Sequence, residues 1–202
     1  MTFDYTSVGF FTFDCLGRPV NSIPPGGDTF FIDEMALAVS GAAGSAAIVA
    51  AKHGLSVQAV GGVGNDDMGD WVIHRLEKYG VDTKNMERVE DFATSSSIVT
   101  TRPNGARPAL HRKGATGGFY VTDDQVDAVL DTKILHIGGV GLMDAMDKGR
   151  TAELMQEAKK RGCITTLDVF AATQEDFRLV EPLLPYTDYL CRPKKKQWRC
   201  QA

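Results

Sequence analysis

Residues 60 to 69 read Val60-Gly61-Gly62-Val63-Gly64-Asn65-Asp66-Asp67-Met68-Gly69, and this stretch decides the fold. An apolar strand predicted over 56–61 runs into a glycine-rich loop. A helix is predicted to follow over Asp67–Tyr79, with apolar residues at helical spacing and Gly80 at its end. A buried strand, a tight loop and a helix together form the unit from which α/β sheets are built.

The same alternation extends in both directions along the chain. Further strands are predicted over Tyr5–Phe13, Ile134–Ile137, Ile164–Asp168 and Tyr186–Leu190. Further helices are predicted over Ser45–His53, Met146–Arg161 and Gln174–Leu184, with a short one starting at Thr122. Strands that alternate with helices indicate a parallel sheet covered on both faces, a three-layer α/β/α fold of the Rossmann-like kind.

Two polar β-rich stretches do not fit inside such a sheet. They cover about 14–39 and 94–113, and the second contains the Asn-Gly turn Asn104-Gly105, which is typical of a hairpin. We expect them to form a small sheet that projects from the main one as a lid. The predicted domain is therefore residues 1–190, including this lid.

Composition excludes several classes of protein. The chain has 202 residues and a net charge of −4, and its acidic body gives no electrostatic footprint for nucleic acid. It has no apolar run long enough to cross a membrane and no basic N-terminal leader. Cys15 and Cys163 lack metal-ligand spacing, so reduced thiols and a cytoplasmic location are expected.

Candidate chemistry lies where predicted strands end. Asp14 follows the first strand and could accept hydrogen bonds from substrate hydroxyls, although a turn-capping role fits equally well. The small-residue loop 40–45 could let a ligand approach a helix N-terminus, or it could serve close helix–sheet packing. A dinucleotide fingerprint from Gly62 fails because Asp67 stands where glycine is needed. The four histidines are scattered, which favours surface or lid roles over metal binding.

The order of four motifs resembles the ribokinase-like, PfkB-type carbohydrate kinases over nearly all of residues 5–190. Gly9 to Asp14 is similar to the family's Gly-x4-Asp, and 40–47 is similar to its Gly-Gly…Asn-x-Ala signature. The stretch 60–69, with Gly-Val-Asp-Thr at 80–83, resembles the family's third motif. The fourth is the strand 135–139, followed by a helix and Thr166-Leu167-Asp168.

This resemblance implies transfer of the ATP γ-phosphate, with Mg²⁺, to a sugar or similar alcohol. The substrate-binding residues that it implies are Asp14, Gly27, Gly41 and Ser45, and Ser45 departs from the family's asparagine. Arg112 and Lys113 could attract an anionic group at the lid, or simply be solvated. The lid could also pair with a second copy of the chain. The resemblance supplies no catalytic residue here, because the family's Gly-Ala-Gly-Asp base motif does not occur.

The last twelve residues, 191–202, differ from the rest. They hold five of the 22 Lys and Arg and no Asp or Glu. Back-translation of this end with chosen codons, read in a shifted frame, gives V-P-S-K-E-E-A, which is similar to the sequence that the family has at this point. We therefore expect a frameshifted or truncated kinase. Such a chain lacks its catalytic and nucleotide-binding part and is expected to be inactive. The alternatives are a non-catalytic sugar-binding or dimerising module and, more remotely, a nucleotide-cofactor oxidoreductase.

Overall fold

The computed structural model describes residues 1–170 and 174–191, with side chains described from residue 177 in the second segment. The basic segment predicted at 191–202 lies outside these residues except for Cys191, which ends the last described strand. No helix in the described part of the chain has the length and apolar character needed to cross a bilayer.

The main sheet has six parallel strands in the order β10-β9-β8-β1-β4-β5. Its strands are β1 Phe3–Gly9, β4 Val57–Val63, β5 Asp82–Arg88, β8 Thr132–Val140, β9 Ile164–Val169 and β10 Tyr189–Cys191. The predicted parallel α/β sheet is therefore confirmed. Strand β5 was missed because it lies at the sheet edge and carries charged residues, unlike a buried parallel strand.

The small sheet has four strands in the order β3-β2-β6-β7. They are β2 Thr12–Arg18, β3 Glu34–Ser40, β6 Ser96–Thr100 and β7 Ala109–Arg112. Strand β2 runs antiparallel to β3 and parallel to β6, and β6 and β7 form the predicted hairpin. The separate small sheet that the sequence predicts is thus present. In the second half of the stretch 14–39, the strand begins only at Glu34.

The prediction of one strand over Tyr5–Phe13 was wrong. Strand β1 ends at Gly9, whose φ of 132° turns the chain, and the Phe10 N–H then donates to the Gly138 carbonyl at 2.8 Å. A side chain at Gly9 would come within 2.2 Å of that same oxygen. The chain therefore leaves the main sheet before Asp14, which lies inside β2 of the small sheet rather than after the first strand.

Helices cover the main sheet on both faces. They are α1 Ala42–Lys52, α2 Asp67–Lys78, α3 Ala115–Gly118, α4 Val126–Val129, α5 Arg150–Lys160 and α6 Gln174–Val180. The predicted helix over Met146–Arg161 is interrupted, because Gly149 adopts a left-handed conformation between a 3₁₀ turn and α5. The helix predicted over Gln174–Leu184 is also shorter than expected, because α6 ends at Val180 and a 3₁₀ segment follows at Glu181–Tyr186.

The hydrophobic core lies in two layers on the two faces of the main sheet. One layer packs α5 and the 3₁₀ segment against β8 and β9, with Leu135, Ile137 and Leu154 almost completely buried. The other packs α1 and α2 against β4, and it is built around Phe11 and Leu76. Both layers belong to the main sheet, so the small sheet projects without a large core of its own.

Candidate substrate-binding cleft

Three polar side chains form a row across the small sheet. The strand register aligns Asp14 of β2 with Ser97 of β6, and Ser97 with His111 of β7. Residues aligned across neighbouring strands project from the same face of a sheet. We call this face, with Thr12, Asp14, Ser97 and His111, the polar face of the small sheet.

Asp14 is the buried member of the row, with 8% of its surface exposed. The Thr12 hydroxyl donates a hydrogen bond to Asp14 Oδ1 at 3.2 Å, and Thr12 itself is buried. A buried carboxylate needs hydrogen-bond donors to offset its desolvation. Asp14 is therefore held in place and has the acceptor capacity to bind hydroxyl groups of a ligand.

His111 closes the row at the edge strand. Its Nδ1 shares a 3.0 Å hydrogen bond with the Ser97 hydroxyl, and its ring packs edge-on against Phe10 with centroids 5.4 Å apart. His111 is exposed as a residue, and only the partial burial of its ring lowers its pKa, while the nearby Asp14 carboxylate and the Ser96 carbonyl oppose that shift. The sequence indicated only a general lid or surface role, because it does not show which face of a hairpin a side chain occupies.

Phe10 connects the polar face to the glycine loop at the start of α1. Gly41 has a φ of 82°, and a side chain there would come within 2.3 Å of the Phe10 carbonyl oxygen. Only glycine allows this close approach. The start of α1 at Gly41 therefore sits against the Phe10 backbone, and the Phe10 ring packs on His111 of the polar face. Phe10 thus links the neighbourhoods of the two predicted residues Gly41 and Asp14.

Ser45 and Gly41 also line a second space, a cavity of about 710 Å³ between α1 and the main sheet. His136 lies in this cavity and is 5% exposed. Its Nδ1 is hydrogen-bonded to the Thr166 hydroxyl at 2.8 Å, and its Nε2 meets no partner among the described residues. Burial lowers the pKa of His136 to about 4, so the imidazole is neutral. Burial also raises the pKa of Asp168 at the same cavity.

The remaining predicted site residues lie elsewhere. Gly27 sits in an exposed turn, and a side chain there would meet no atom within 4 Å. Arg112 projects from the opposite face of the small sheet to His111 and donates from Nη2 to the Thr94 carbonyl at 3.1 Å. Lys113 pairs with Asp144 at 2.5 Å. These three residues are not brought into contact with Asp14.

The motif around Asp66 joins the two sheets. Asp66 Oδ1 accepts from the Gly69 N–H at 2.8 Å and from the Thr94 hydroxyl at 2.5 Å, and Oδ2 accepts from the Thr94 N–H at 2.8 Å. Burial opposes ionisation of this carboxyl, but the bonds from Thr94 and Gly69 outweigh it and lower the pKa of Asp66. One residue thus caps α2 and fixes the segment that leads into β6.

The described side chains contain no cluster of metal ligands. Within residues 1–170 and 177–191, no three His, Cys, Asp or Glu side chains are grouped so that they could hold a metal ion. The polar groups on the polar face of the small sheet are suited to hydrogen bonding with hydroxyls.

Curated proteins similar to this chain include sugar kinases. A probable fructokinase-3 of Arabidopsis thaliana is 27% identical over 150 residues, which cover 73% of this chain and 41% of the relative. An ATP-dependent 6-phosphofructokinase of Thermoanaerobacterium thermosaccharolyticum is 25% identical over 142 residues, or 70% and 44% of the two chains. The chain thus spans less than half the length of these curated relatives.

Among solved structures, an Arabidopsis thaliana ribokinase complexed with ribose and ATP superposes with a TM-score of 0.78 at 21% identity. That alignment covers 95% of this chain and 60% of the ribokinase, and it shows the shared fold. The family model described as "pfkB family carbohydrate kinase" matches residues 7–192, nearly the whole chain. The chain therefore belongs to the pfkB family of carbohydrate kinases.

Proposed function

We propose that this chain forms the sugar-binding part of a kinase that transfers the ATP γ-phosphate to a hydroxyl group of a sugar or related alcohol. The observation that carries the proposal is the buried Asp14 carboxylate, which lies on the polar face of the small sheet in the same row as His111, whose ring packs on Phe10. A carboxylate with one local donor can accept further hydrogen bonds from ligand hydroxyls.

In this account the chain's own residues bind and orient the sugar. Asp14 accepts from hydroxyl groups, the α1 loop at Gly41 approaches the ligand through its backbone, and the small sheet excludes water from the cleft. Exclusion of water matters because phosphoryl transfer to a sugar competes with transfer to water. When bound, ATP with Mg²⁺ would supply the phosphoryl group and neutralise its charge.

The support for ATP is the family itself and the ribokinase structure with ribose and ATP. The described cysteines Cys15, Cys163 and Cys191 are all free thiols, which fits the proposal of a reducing, cytoplasmic setting.

Two measurements on the purified 202-residue chain test the proposal. Thermal unfolding with and without D-fructose or D-ribose should show stabilisation by at least one sugar, because a ligand that binds only the folded state raises its stability. A coupled assay for sugar-dependent ADP formation is expected to show no turnover by this chain alone. Absence of stabilisation by every sugar in a broad panel would contradict the proposal.

We also propose that the opposite face of the small sheet pairs with a second copy of the chain. On this face Met35, Leu37, Ile98 and Leu110 are 71%, 46%, 56% and 72% exposed. We call these four residues the apolar face. Arg112 lies on the same face, on the edge strand β7, where it donates to the Thr94 carbonyl. The four apolar side chains form the part of this face that can pack on itself about a two-fold axis.

The oligomeric state tests this pairing. Analytical ultracentrifugation should show a dimer for the unmodified chain and a monomer for Ile98→Lys, because the lysine would place a charge in the middle of the patch. The control is Val49→Lys, a similarly exposed apolar residue on α1, which should leave the dimer intact. A monomeric unmodified chain, or a dimer that survives Ile98→Lys, would rule out this interface.

A further inference from the structure

The charge on the polar face of the small sheet bears on the choice of substrate, because the curated proteins similar to this chain include both fructokinases and a 6-phosphofructokinase. Around Asp14 this face carries two hydroxyls and the His111 imidazole. The register also places Arg18 on this face, four residues along β2 from Asp14, where it is already paired with Glu34. A substrate that carries a phosphate or carboxylate would require a cation on this wall.

The two cations next to His111 in sequence are already engaged elsewhere. Arg112 projects from the other face and donates to the Thr94 carbonyl. Lys113 makes its ion pair with Asp144, on the loop that follows β8. Neither side chain can turn to the polar face without losing a bond that it makes in this structure.

His111 does not act as a substitute cation. Its ring is packed edge-on against Phe10 and bonded to Ser97, and this shielding from solvent lowers its pKa. A pKa below the ordinary value of histidine favours the uncharged imidazole at neutral pH, and that form can both donate and accept a hydrogen bond. Together with Asp14 and Ser97 it offers the groups that suit hydroxyls.

We propose that His111 is a specificity-determining residue, and that the row Asp14–Ser97–His111 selects neutral, hydroxyl-rich sugars over sugar phosphates and sugar acids. This inference rests on the proposed function, because it assumes that the cleft binds a carbohydrate. It adds the substrate class and a residue that the sequence motifs do not assign to the site.

Isothermal titration of the 202-residue chain with D-fructose and D-fructose 6-phosphate tests it, since these ligands differ only in the phosphate. The unmodified chain should bind fructose at least about tenfold more tightly, the difference expected for one buried charge left unpaired. His111→Lys should shift the ratio toward the phosphate by about tenfold. His111→Gln, which stays neutral and polar, should keep the preference for fructose.

Ile164→Lys is the matched control. It adds the same charge at a position 45% exposed at the start of β9, in the main sheet and outside both faces of the small sheet, so the affinity ratio should not change. Tighter binding of fructose 6-phosphate by the unmodified chain, or an equal shift in His111→Lys and Ile164→Lys, would overturn the inference and leave the proposed function standing. Failure of every sugar and sugar phosphate to bind would overturn the proposed function and this inference with it.

Discussion

The two sheets of this molecule use their apolar side chains in opposite ways. The main sheet buries Leu135 and Ile137 completely between helices, whereas the small sheet leaves Ile98 and Leu110 largely exposed and turns a polar face to the cleft. The main sheet therefore holds the hydrophobic core, and the small sheet keeps exposed side chains for the sugar binding and pairing that we propose. Because the small sheet lacks a core of its own, it depends on side-chain bonds such as those of Asp66 for its position.

The largest expected effect compares two leucines, one in each sheet. Leu135→Ala should lower the free energy of unfolding by about 3 kcal/mol, because it leaves a cavity in a fully buried site. In the Ile98→Lys background, where the proposed pairing of two chains is absent, Leu110→Ala at a position 72% exposed should change the free energy of unfolding by less than about 0.5 kcal/mol. Urea unfolding at neutral pH measures both values. Similar losses for the two variants would remove the distinction between the sheets.

The polar face gives the next effect, on binding rather than on stability. Asp14→Asn should weaken sugar binding by about tenfold to a hundredfold, because hydrogen bonds to a charged acceptor are the stronger ones. Isothermal titration measures this change, with Asp33→Asn as a control at an exposed carboxylate. Unchanged affinity in Asp14→Asn would argue that the sugar binds elsewhere.

The joint between the sheets should give a smaller loss of stability. Asp66→Ala removes a helix cap and leaves the Thr94 N–H without its acceptor, so we expect a cost of about 2 kcal/mol. Asp67→Ala removes the same charge from an exposed neighbour and should cost less than about 0.5 kcal/mol. Hydrogen exchange of residues 94–100 should also accelerate in Asp66→Ala alone. Equal behaviour of the two variants would show that Asp66 acts only through its charge.

The smallest effect concerns pH and the buried His136. Its pKa in the folded state is about 4, below the unfolded value of about 6.5, so the unfolded chain binds the proton first. The stability that the neutral His136 contributes is therefore complete above pH 6.5 and is lost as pH falls toward 4. At pH 5.5 the free energy of unfolding is lower by about 1 kcal/mol. Unfolding of His136→Gln across this window should lack that part of the acid sensitivity.

Asp147 acts in the opposite direction over the same range. Burial raises its pKa to about 6, so the folded state holds that proton more tightly and stability falls as pH rises from about 4 to 6. The difference in free energy of unfolding between the unmodified chain and His136→Gln measures the effect of His136 alone, since Asp147 is present in both proteins. An identical pH profile for the two proteins would show that His136 is not buried in its neutral form.

Much of the main sheet could be predicted because its signals are local. The helix predicted over Asp67–Tyr79 is found at Asp67–Lys78, since its apolar spacing and the Asp66 cap are both visible in sequence. The hairpin strand Ala109–Arg112 was found as predicted, because an Asn-Gly turn fixes the end of the hairpin. The edge strand Asp82–Arg88 was missed because it lacks the apolar run of a central parallel strand.

The cleft could be predicted only in part, because it depends on register. Asp14 was identified from its motif, but its position in β2 depends on the turn at Gly9, which a run of aromatic residues conceals. His111 is aligned with Asp14 only through the β2–β6 and β6–β7 pairings, which sequence periodicity does not give. Arg112 follows His111 in β7 and projects from the opposite face, because successive side chains along a strand alternate between the two faces of a sheet.

The central claim is that the polar face of the small sheet, with the Gly41 loop, binds the sugar. The most direct test is an amide NMR titration of the ¹⁵N-labelled chain with D-fructose. We predict shifts at 10–14, 41–45, 97 and 111, with little change at Met35 and Leu37 of the apolar face. Shifts confined to the apolar face or to the cavity around His136, with none at Asp14 or His111, would contradict the account.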